Sequence, residues 1–274
     1  MKKLIIAVTF LLVFAYPLHA AQFPAQPIST CQVQSPFGWP QTTKPGTIIC
    51  HHAYVTYVDN AAKVPIWVSY TLVPDHAVGC LPRTNAFAAD ANIPNGAAPQ
   101  DYVGTNFDKG HNAPDGDMEF DAQAQSESFL MTNMSPQAPS LNRGIWKLLE
   151  TTVRAWALEL NQPMTVYVGN LYSPGDTTIG KGVVVPHALY KIVINDTTHQ
   201  VAAWMFPHVA PYPNLGNDLT KFRVPVSKIQ LLAGVTFAFP PGVTELQPGT
   251  EWPVNFKVLT AAKHQKCGSS STTE

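Results

Sequence analysis

Residues 107–118 read Phe-Asp-Lys-Gly-His-Asn-Ala-Pro-Asp-Gly-Asp-Met and place one histidine, His111, among acids, glycines and a proline. Further along the chain, Leu141 to Glu150 read Leu-Asn-Arg-Gly-Ile-Trp-Lys-Leu-Leu-Glu. Together the two stretches offer a base that is neutral near ambient pH, an amide oxygen for a hard cation, a carboxylate and several cations. This inventory fits metal-assisted attack of water on a phosphodiester.

The second stretch opens the clearest helical pattern of the chain, from Asn142 to Leu160. Polar residues at three- and four-residue steps predict one face of this helix, and Asn161-Gln162-Pro163 predicts its end. Apolar residues at the same spacing predict one buried stripe. The polar face comprises Arg143, Lys147, Glu150 and Arg154, and the apolar stripe comprises Ile145, Leu149, Val153, Trp156 and Leu160.

Strand patterns dominate the sequence on either side of these blocks. Residues 47–58 and 64–73 are rich in Ile, Val, Tyr and Thr and flank Asp59-Asn60-Ala61-Ala62, which predicts a hairpin. The predicted class is α+β, with a largely antiparallel central sheet flanked by helices. Further predicted elements are strands at 164–168, 182–195, 200–206, 222–226 and 235–239, a short helix at 123–130, and a loop at 74–106.

The N-terminus has the pattern of a secretory signal over residues 1–20. Lys2 and Lys3 precede an apolar run that Pro17 breaks, and Leu18-His19-Ala20 offers a cleavage site. An uncleaved anchor is the alternative, but the run is shorter than the roughly 20 residues that a membrane span needs. We expect a secreted or periplasmic protein with no stable membrane association. Residues 21–267 then form a single domain with an extended arm over 21–46, and 268–274 form a polar tail.

All four cysteines lie beyond the predicted signal, and their even number in an exported chain predicts two disulfides. Four cysteines allow three connectivities, of which we favour Cys31–Cys50 and Cys80–Cys267. The first would brace the first strand and the second would tie the C-terminal segment to the body. A metal site is the alternative, but no two cysteines have the close C-x₂-C spacing of zinc sites.

The charge balance limits the classes of partner. The chain has 17 basic and 18 acidic residues, for a formal net charge of −1, and loss of Lys2 and Lys3 makes it more negative. This argues against a protein that coats nucleic acid through a general basic field. It leaves open an enzyme that holds a few phosphates locally and must release its product.

Each candidate residue also has an ordinary structural interpretation. His111 could be a loop histidine bonded to backbone, although Asp108 could orient its ring. Asn142 could cap the helix that it begins, since asparagine is a favoured N-cap. Glu150 could pair with Arg154 at i, i+4, and with Lys147 the three could form a solvated helix face.

The chain carries three ordered polar blocks: Asp108-Lys109-Gly110-His111, Met131-Thr-Asn-Met-Ser-Pro-Gln137 and Asn142-x-Gly144-x-Trp146-x-x-Leu149-Glu150. The first resembles the Asp-Arg-Gly-His motif of the DNA/RNA non-specific endonucleases, a family of the ββα-metal (His-Me finger) group. The second resembles their Ser-Asn-x-x-Pro-Gln block. The third resembles the helix that carries their metal-binding asparagine and a glutamate. The similarity spans roughly residues 50–240.

This resemblance implies a ββα-metal active-site motif and a role for each matching residue. It makes His111 the general base, Asn142 the Mg²⁺ ligand, with Mn²⁺ as a possible substitute, and Glu150 an outer-shell or acid-supporting residue. The remaining implied roles concern the substrate: Arg83 and Arg154 hold the phosphate, Lys109 stands where the family has arginine, and Arg143 and Asn133 bind substrate. Lysine keeps the charge at position 109 but loses the two-pronged fork of arginine.

The expected function is therefore an exported Mg²⁺-dependent endonuclease that cuts DNA and RNA and leaves 5′-phosphate ends. Water is the expected nucleophile, so both nucleic acids are expected partners; no oligomeric or inhibitor partner is indicated. Two alternatives remain: a catalytically weak nucleic-acid-binding relative, and a phosphodiesterase acting on small nucleotides. Binding without turnover usually depends on a wide basic face, which this composition does not favour.

Overall fold

The computed structural model describes residues 28–268 of the 274-residue chain. The predicted signal peptide, the first residues of the predicted arm and all but the first residue of the predicted tail lie outside the described residues. The strands are β1 Gln41–Thr42, β2 Thr47–Cys50, β3 Val55–Asp59, β4 Val64–Leu72, β5 Asp108–His111, β6 Met134–Gln137, β7 Met164–Leu171, β8 Thr178–Ile179, β9 Val183–Val184, β10 Ala188–Asn195, β11 Gln200–Pro207, β12 Val235–Thr236 and β13 Thr244–Glu245.

The helices fall into α-helices and short 3-10 turns. The α-helices are α1 Ala122–Ser128, α2 Pro139–Leu141, α3 Lys147–Leu160, α4 Val226–Ala233 and α5 Lys257–Cys267, with a wide π-helical turn at Asn142–Trp146 joining α2 to α3. The 3-10 helices are Ile28–Gln34, Pro74–His76, Pro99–Tyr102, Asp115–Asp117, Met131–Asn133 and Leu219–Phe222.

Seven strands form the central sheet, in the order β13–β11–β10–β7–β4–β3–β2. Its pairs are antiparallel except for the short parallel pair of β11 with β13. Every residue of the central strands β7 and β10 is buried, because both faces of the sheet are covered. The α+β class with a largely antiparallel sheet is confirmed.

Each face of the sheet has its own apolar core. Successive side chains of a strand point to opposite faces, so Val193 of β10 packs in the core beneath α3 while its neighbour Ile192 packs in the other. The second core contains Ile229 of α4 and Phe237. The candidate site lies on the α3 face, where the β5–β6 hairpin and the following helices form a ββα unit.

The apolar stripe predicted for α3 is confirmed. Ile145, Leu149, Val153 and Trp156 are buried, and Leu160 packs against the same core while partly exposed. Burying such a side chain stabilises the fold by about 1.5–3 kcal/mol each, so this stripe fixes the helix on the sheet. The helix ends at Asn161, whose left-handed backbone (φ 52°) caps it.

The start of this helix differs from the prediction. Helical structure begins at Pro139 rather than Asn142, because proline at the first position already has a helical φ and needs no donor. Gly144 then interrupts the helix with φ −103° and ψ −117°. The segment therefore kinks between Asn142 and Trp146, and Asn142 has helical backbone angles rather than the N-cap position that the sequence offered.

Several predicted strands were wrong in extent or type. Residues 47–58 form two strands, because the chain reverses at His51, whose N–H donates to the carbonyl of Tyr54 over 2.9 Å. Residues 182–195 divide into β9 and β10. Residues 222–226 form the end of a 3-10 helix and the start of α4. Of the last predicted strand, 235–239, only Val235–Thr236 is a strand, and it pairs with β1.

Both predicted disulfides are confirmed, Cys31–Cys50 and Cys80–Cys267. The first joins β2 to a 3-10 helix, Ile28–Gln34, where the sequence predicted an extended arm. The second joins the end of α5 to the loop after β4. Within residues 28–268, no helix is long and apolar enough to cross a bilayer.

Candidate active site

A cleft of about 600 Å³ opens on the α3 face, between β5, the loop that follows β5, the helical turn at Asn142–Trp146, α3 and α5. Seven of the eight residues predicted for the site line this cleft: Arg83, Lys109, His111, Asn142, Arg143, Glu150 and Arg154. Asn133 does not. The fold therefore brings together side chains that are separated by up to 71 positions in the sequence.

The β5 strand presents the motif residues to the cleft by strand alternation. Lys109 and His111 are two positions apart and so share one face of the strand, and both line the cleft. Gly110 between them packs against Gln137 of β6; a Cβ at this position would lie 2.2 Å from the Gln137 side chain. Glycine at this position therefore leaves the space that the buried side chain of Gln137 occupies.

His111 lies in a largely apolar pocket at the end of β5. Its ring packs edge-on against Phe129, with centroids 5.0 Å apart, and lies 5.8 Å from the ring of Phe87. Burial, and then the charge of Arg83, lower the pKa of His111 to about 3. Its Nε2 has no hydrogen-bond partner among residues 28–268. The imidazole is thus neutral at ambient pH, which is the form that can accept a proton.

Asn133 has a structural role instead of the predicted contact with substrate. It is fully buried, and its amide nitrogen donates to the carbonyls of Ala113 and Ser128 over 2.8 Å each. Its amide oxygen accepts from the N–H of Ala113 over 2.9 Å. These bonds fasten the backbone that follows His111 to the turn before β6, so Asn133 positions the base from behind.

The side chain of Asn142 is oriented by the β5 strand. Its Nδ2 donates to Oδ2 of Asp108 over 3.0 Å, so the capping interpretation was wrong. Arg143 grips the same carboxylate through two bonds of 2.9 and 2.7 Å. Partial burial acts to raise the pKa of Asp108, but the hydrogen bonds from Arg143 and Asn142 lower it below its usual value. Asp108 therefore organises Asn142 and does not orient the ring of His111.

Glu150 faces the cleft from α3 with most of its side chain buried (12% exposed). Its Oε1 lies 3.8 Å from Nζ of Lys191, a fully buried lysine on β10 that the sequence analysis did not identify. Burial raises the pKa of Glu150 to about 7, against the opposing effect of Lys191. The i, i+4 pairing with Arg154 is not the contact that holds Glu150.

Two buried aspartates, which the sequence analysis missed, position the two arginines. Arg83 Nη1 lies 3.1 Å from Oδ2 of Asp115, and Arg154 Nη1 lies 2.9 Å from Oδ1 of Asp117. Both aspartates belong to the 3-10 turn Asp115–Asp117, whose Gly116 leaves room for Arg154: a Cβ there would lie 2.8 Å from Nη1. The acid-rich stretch Pro-Asp-Gly-Asp was the available signal for these partners.

Lys109 is held against aromatic rings rather than extended into solvent. Its Nζ lies 4.8 Å from the ring centroid of Phe87 and 5.7 Å from that of Tyr102. A cation over an aromatic face is attracted by the ring quadrupole. Lys109 thus contributes a fixed point charge at the rim of the pocket that holds His111.

The helix α5 forms the far wall of the cleft. Phe256, just before the helix, and Leu259, Thr260 and Lys263 line the cleft opposite α3. Lys263 Nζ bonds to Oε2 of Glu119 over 2.8 Å, and the disulfide from Cys267 holds the end of the helix. No residue of α5 is buried, so these few contacts carry most of its attachment.

The oxygen donors in the cleft suit a hard cation with few protein ligands. Residues 28–268 contain no cluster of three or more His, Cys, Asp or Glu side chains arranged for a metal. Because Nδ2 of Asn142 faces the Asp108 carboxylate, its amide oxygen is the end available to a cation. Mg²⁺ commonly keeps several waters and takes one or two protein oxygens, so a single amide with Glu150 nearby fits such an ion.

Comparison with known proteins agrees with this geometry. Residues 36–243 match the family model for DNA/RNA non-specific endonucleases. The chain is 31% identical over 221 residues to the mitochondrial nuclease EXOG of Homo sapiens, which covers 73% of this chain and 59% of that protein. It is 29% identical over 243 residues to a nuclease of Serratia marcescens, covering 82% of this chain and 87% of that protein.

The chain spans 59%, 64% and 60% of the lengths of the EXOG nucleases of human, mouse and Xenopus laevis. Among solved structures, it resembles a chain from the EndoG/EndoGI complex, described as revealing the mechanism of EndoG inhibition. That match has a TM-score of 0.66 and 25% identity, and it covers 78% of this chain and 92% of the other.

Proposed function

The chain belongs to the DNA/RNA non-specific endonuclease family, and from this premise we propose that it is an endonuclease that hydrolyses phosphodiester bonds in DNA and RNA. One observation carries the proposal: a histidine held neutral by burial lines a cleft that also holds the Asn142 amide and two anchored arginines. These are the groups that attack of water on a phosphate diester requires.

We assign the general base to His111. Its neutral ring takes a proton from the attacking water, because a buried imidazole beside Arg83 remains unprotonated at ambient pH. The bonds of Asn133 to the adjoining backbone hold the ring in place. Water is the nucleophile, so a ribose 2′-OH is not needed and both DNA and RNA are substrates.

We assign the phosphate contacts to Arg83, Arg154 and Lys109. A guanidinium has five N–H donors, and each arginine commits Nη1 to a buried aspartate. Arg83 also donates from Nε to Asn85, and Arg154 donates from Nη2 to Thr151. The donors that remain on each guanidinium are thereby aimed with little loss of entropy on binding. These residues contact phosphate and not bases, which accounts for cleavage without sequence preference. Arg143, held by Asp108, lines the outer part of the same surface.

Asn142 would hold a divalent cation, Mg²⁺ or Mn²⁺, through its amide oxygen. Such an ion supplies charge stabilisation for the phosphate and the leaving oxygen. Glu150, whose pKa lies near neutrality, would accept hydrogen bonds from water on this side of the cleft. The bond from phosphorus to the 3′ oxygen would then break, the 3′ oxygen would take a proton from water, and the products would carry a 5′-phosphate and a 3′-hydroxyl.

The substitution His111→Ala tests the proposal. Loss of a general base costs about 10²–10⁴-fold in rate, so cleavage of plasmid DNA and of RNA should fall in parallel while nucleic-acid binding persists. His52→Ala is the matched control, because His52 lies outside the cleft and is 44% exposed. Retention of more than a tenth of the rate in His111→Ala would refute the assignment.

Two further measurements separate this function from its alternatives. Chelation with EDTA should stop cleavage, and added Mg²⁺ or Mn²⁺ should restore it. Long DNA should be cut with a higher kcat/KM than a mononucleotide diester, because only a polymer contacts phosphates along the cleft. Equal values would favour a phosphodiesterase of small nucleotides, and binding without turnover would favour a binding module.

We also propose that the protein is exported. Two disulfides support an oxidising compartment, since disulfides are rare where thiols are kept reduced. The sequence of residues 1–20 supports the same location. Cell fractionation with N-terminal sequencing of the purified protein tests this: a mature chain beginning near Ala21 in the periplasm or medium is expected.

A further inference from the structure

Lys191 is a lysine in the middle of the central sheet. It lies on β10, between β7 and β11, and has no exposed surface. Because alternate residues of a strand share a face, its side chain points toward α3 with those of Leu189 and Val193, which belong to the apolar core on that side.

The ammonium group of Lys191 is directed at the floor of the cleft. Its Nζ lies 3.8 Å from Oε1 of Glu150 and 4.7 Å from the ring centroid of Trp146. Within residues 28–268 it has no hydrogen-bond partner. Burial lowers the pKa of Lys191, whereas the charges of Glu150 and Asp117 favour its ammonium form and that of Arg154 opposes it.

The surrounding charges leave Glu150 dependent on Lys191. Arg154 is committed to Asp117 over 2.9 Å, so it cannot fully compensate a second carboxylate. The hydroxyl of Tyr70 is also buried beside Asp117 and Glu150. Asp117 disfavours the charged form of Glu150, whereas Lys191 favours it.

This buried ion pair is not expected to stabilise the fold. Removing an ammonium and a carboxylate from water costs more than their attraction returns unless hydrogen bonds satisfy both, and here Nζ makes none to residues 28–268. An apolar side chain of similar length would fill the same space between Leu189 and Val193. The charge of Lys191 is therefore best explained by what it does to Glu150.

We propose that Lys191 is a positioning residue that holds the Glu150 carboxylate, in its charged form, at the floor of the cleft that His111 and Asn142 line. Lys191 does not line the cleft itself. The kinetic part of this inference rests on the proposed nuclease function, whereas the effect of Lys191 on Glu150 does not.

The substitution Lys191→Met tests the direct effect, because methionine keeps the length of the stem without the charge. Infrared difference spectra across a pH titration follow the protonated carboxyl band of Glu150, identified by its loss in Glu150→Gln. Removing an opposite charge within about 4–6 Å should move the titration upward by about 1–3 units. Lys191→Gln gives a second neutral variant if Lys191→Met does not fold.

Val193→Ala is the matched control, since Val193 shares the strand and the face of Lys191 but carries no charge. It should leave the Glu150 titration at its wild-type pH. An unchanged titration in the folded Lys191 variant, or an equal shift in Val193→Ala, overturns the proposal. This readout does not require nuclease activity, so it stands even if no cleavage is found.

The kinetic consequence follows from a double-mutant cycle. Lys191→Met should lower kcat on DNA at neutral pH by about 10–100-fold, with little change in KM because Lys191 does not reach the substrate. The acid limb of its kcat/KM profile should move to higher pH. In the Glu150→Gln background, Lys191→Met should have no further effect; additive losses would show that Lys191 does not act through Glu150.

Discussion

Nδ2 of Asn142 donates a hydrogen bond of 3.0 Å to Oδ2 of Asp108, which joins the helical turn after β6 to the strand that carries His111. The bond determines which end of the amide faces the carboxylate. It also links two of the three sequence blocks through a contact that their spacing does not reveal. Asp108 accepts from Arg143 as well, so one carboxylate sets the orientation of two cleft residues.

We predict that Asp108→Ala weakens divalent-metal binding by about 10–100-fold, because loss of an outer hydrogen-bond partner typically has this effect on a ligand. Mn²⁺ titration by calorimetry or electron paramagnetic resonance measures it. Arg143→Ala is the control, since it removes the other partner of Asp108 and leaves the Asn142 bond intact. Equal weakening in both variants would mean that the local charge, and not the amide orientation, matters.

The second prediction concerns the pH dependence of kcat/KM. The pKa of His111 is about 3 and that of Glu150 is about 7. The base is therefore deprotonated well below neutrality, whereas Glu150 takes up a proton as the pH falls through neutrality. The acid limb should lie near pH 7 and should disappear in Glu150→Gln, which has a low rate at every pH. A limb that persists in Glu150→Gln would assign the titration to another group.

The third prediction uses the buried Asp90. Burial opposes ionisation, but the ring of His51, whose Nε2 lies 3.5 Å from Oδ2, and a hydrogen bond from Thr132 lower the pKa of Asp90 from 3.8 to about 2. A carboxyl whose pKa is lower in the folded than in the unfolded state stabilises the fold at pH values above its unfolded pKa. This stability is lost as the pH falls from about 4 to about 2. By linkage the contribution is about 2 kcal/mol. The free energy of unfolding, measured with urea, should therefore fall between about pH 4 and pH 2 in the wild type. The Asp90→Asn variant should lack this part of the pH dependence.

The sequence predicted the parts of the site that depend on local pattern. The three- and four-residue steps placed Glu150 and Arg154 on α3 away from Leu149 and Val153, whereas the strand that carries Lys109 and His111 was not predicted. Both disulfides were also predicted, although sequence spacing alone allowed three connectivities. The helix faces depend on residues that are close together in the chain. The disulfide pairing was a choice among only three connectivities.

The partners that act across the fold could not be predicted. Lys191 lies 41 positions from Glu150, and only pairing of β10 beside β7 places it beneath α3. In the sequence it is a lone lysine in an apolar strand, a pattern equally typical of an exposed edge. Asn133 was wrongly expected to bind substrate. Its motif indicates that the residue is near the site, but not whether its amide points into the cleft or into the interior behind His111. The helix α5 was missed because none of its residues is buried.

The fourth prediction concerns Lys109. Its ammonium is fixed against Phe87 and Tyr102, so Lys109→Ala should lower kcat by about 10²-fold, the scale of losing one stabilising donor. Lys109→Arg should retain or raise kcat, since the fork of arginine can contact phosphate twice. Lys147→Ala, which removes an exposed cation of the same cleft, is the control. A similar loss of kcat in Lys147→Ala would indicate that the total positive charge of the cleft matters, and not the position of Lys109.

The last prediction separates the two disulfides. Mature protein should contain no free thiol, and loss of a native bridge typically costs about 2–5 kcal/mol. Cys31 and Cys50 are both buried in the core, so the double serine variant at these positions should lower Tm for the whole fold. Cys80–Cys267 instead secures α5, whose remaining polar contacts, such as Lys263 with Glu119, contribute at most about 1 kcal/mol each when solvent reaches them.

The double variant Cys80→Ser/Cys267→Ser should therefore release α5 while the central sheet remains folded. Limited trypsin digestion measures this, because Lys257, Lys263 and Lys266 lie in or at the start of the helix. Rapid cleavage within α5 is expected in this variant but not in wild type or in the Cys31→Ser/Cys50→Ser variant at temperatures below its Tm. Equal resistance in all three proteins would show that the polar contacts suffice to hold the wall of the cleft.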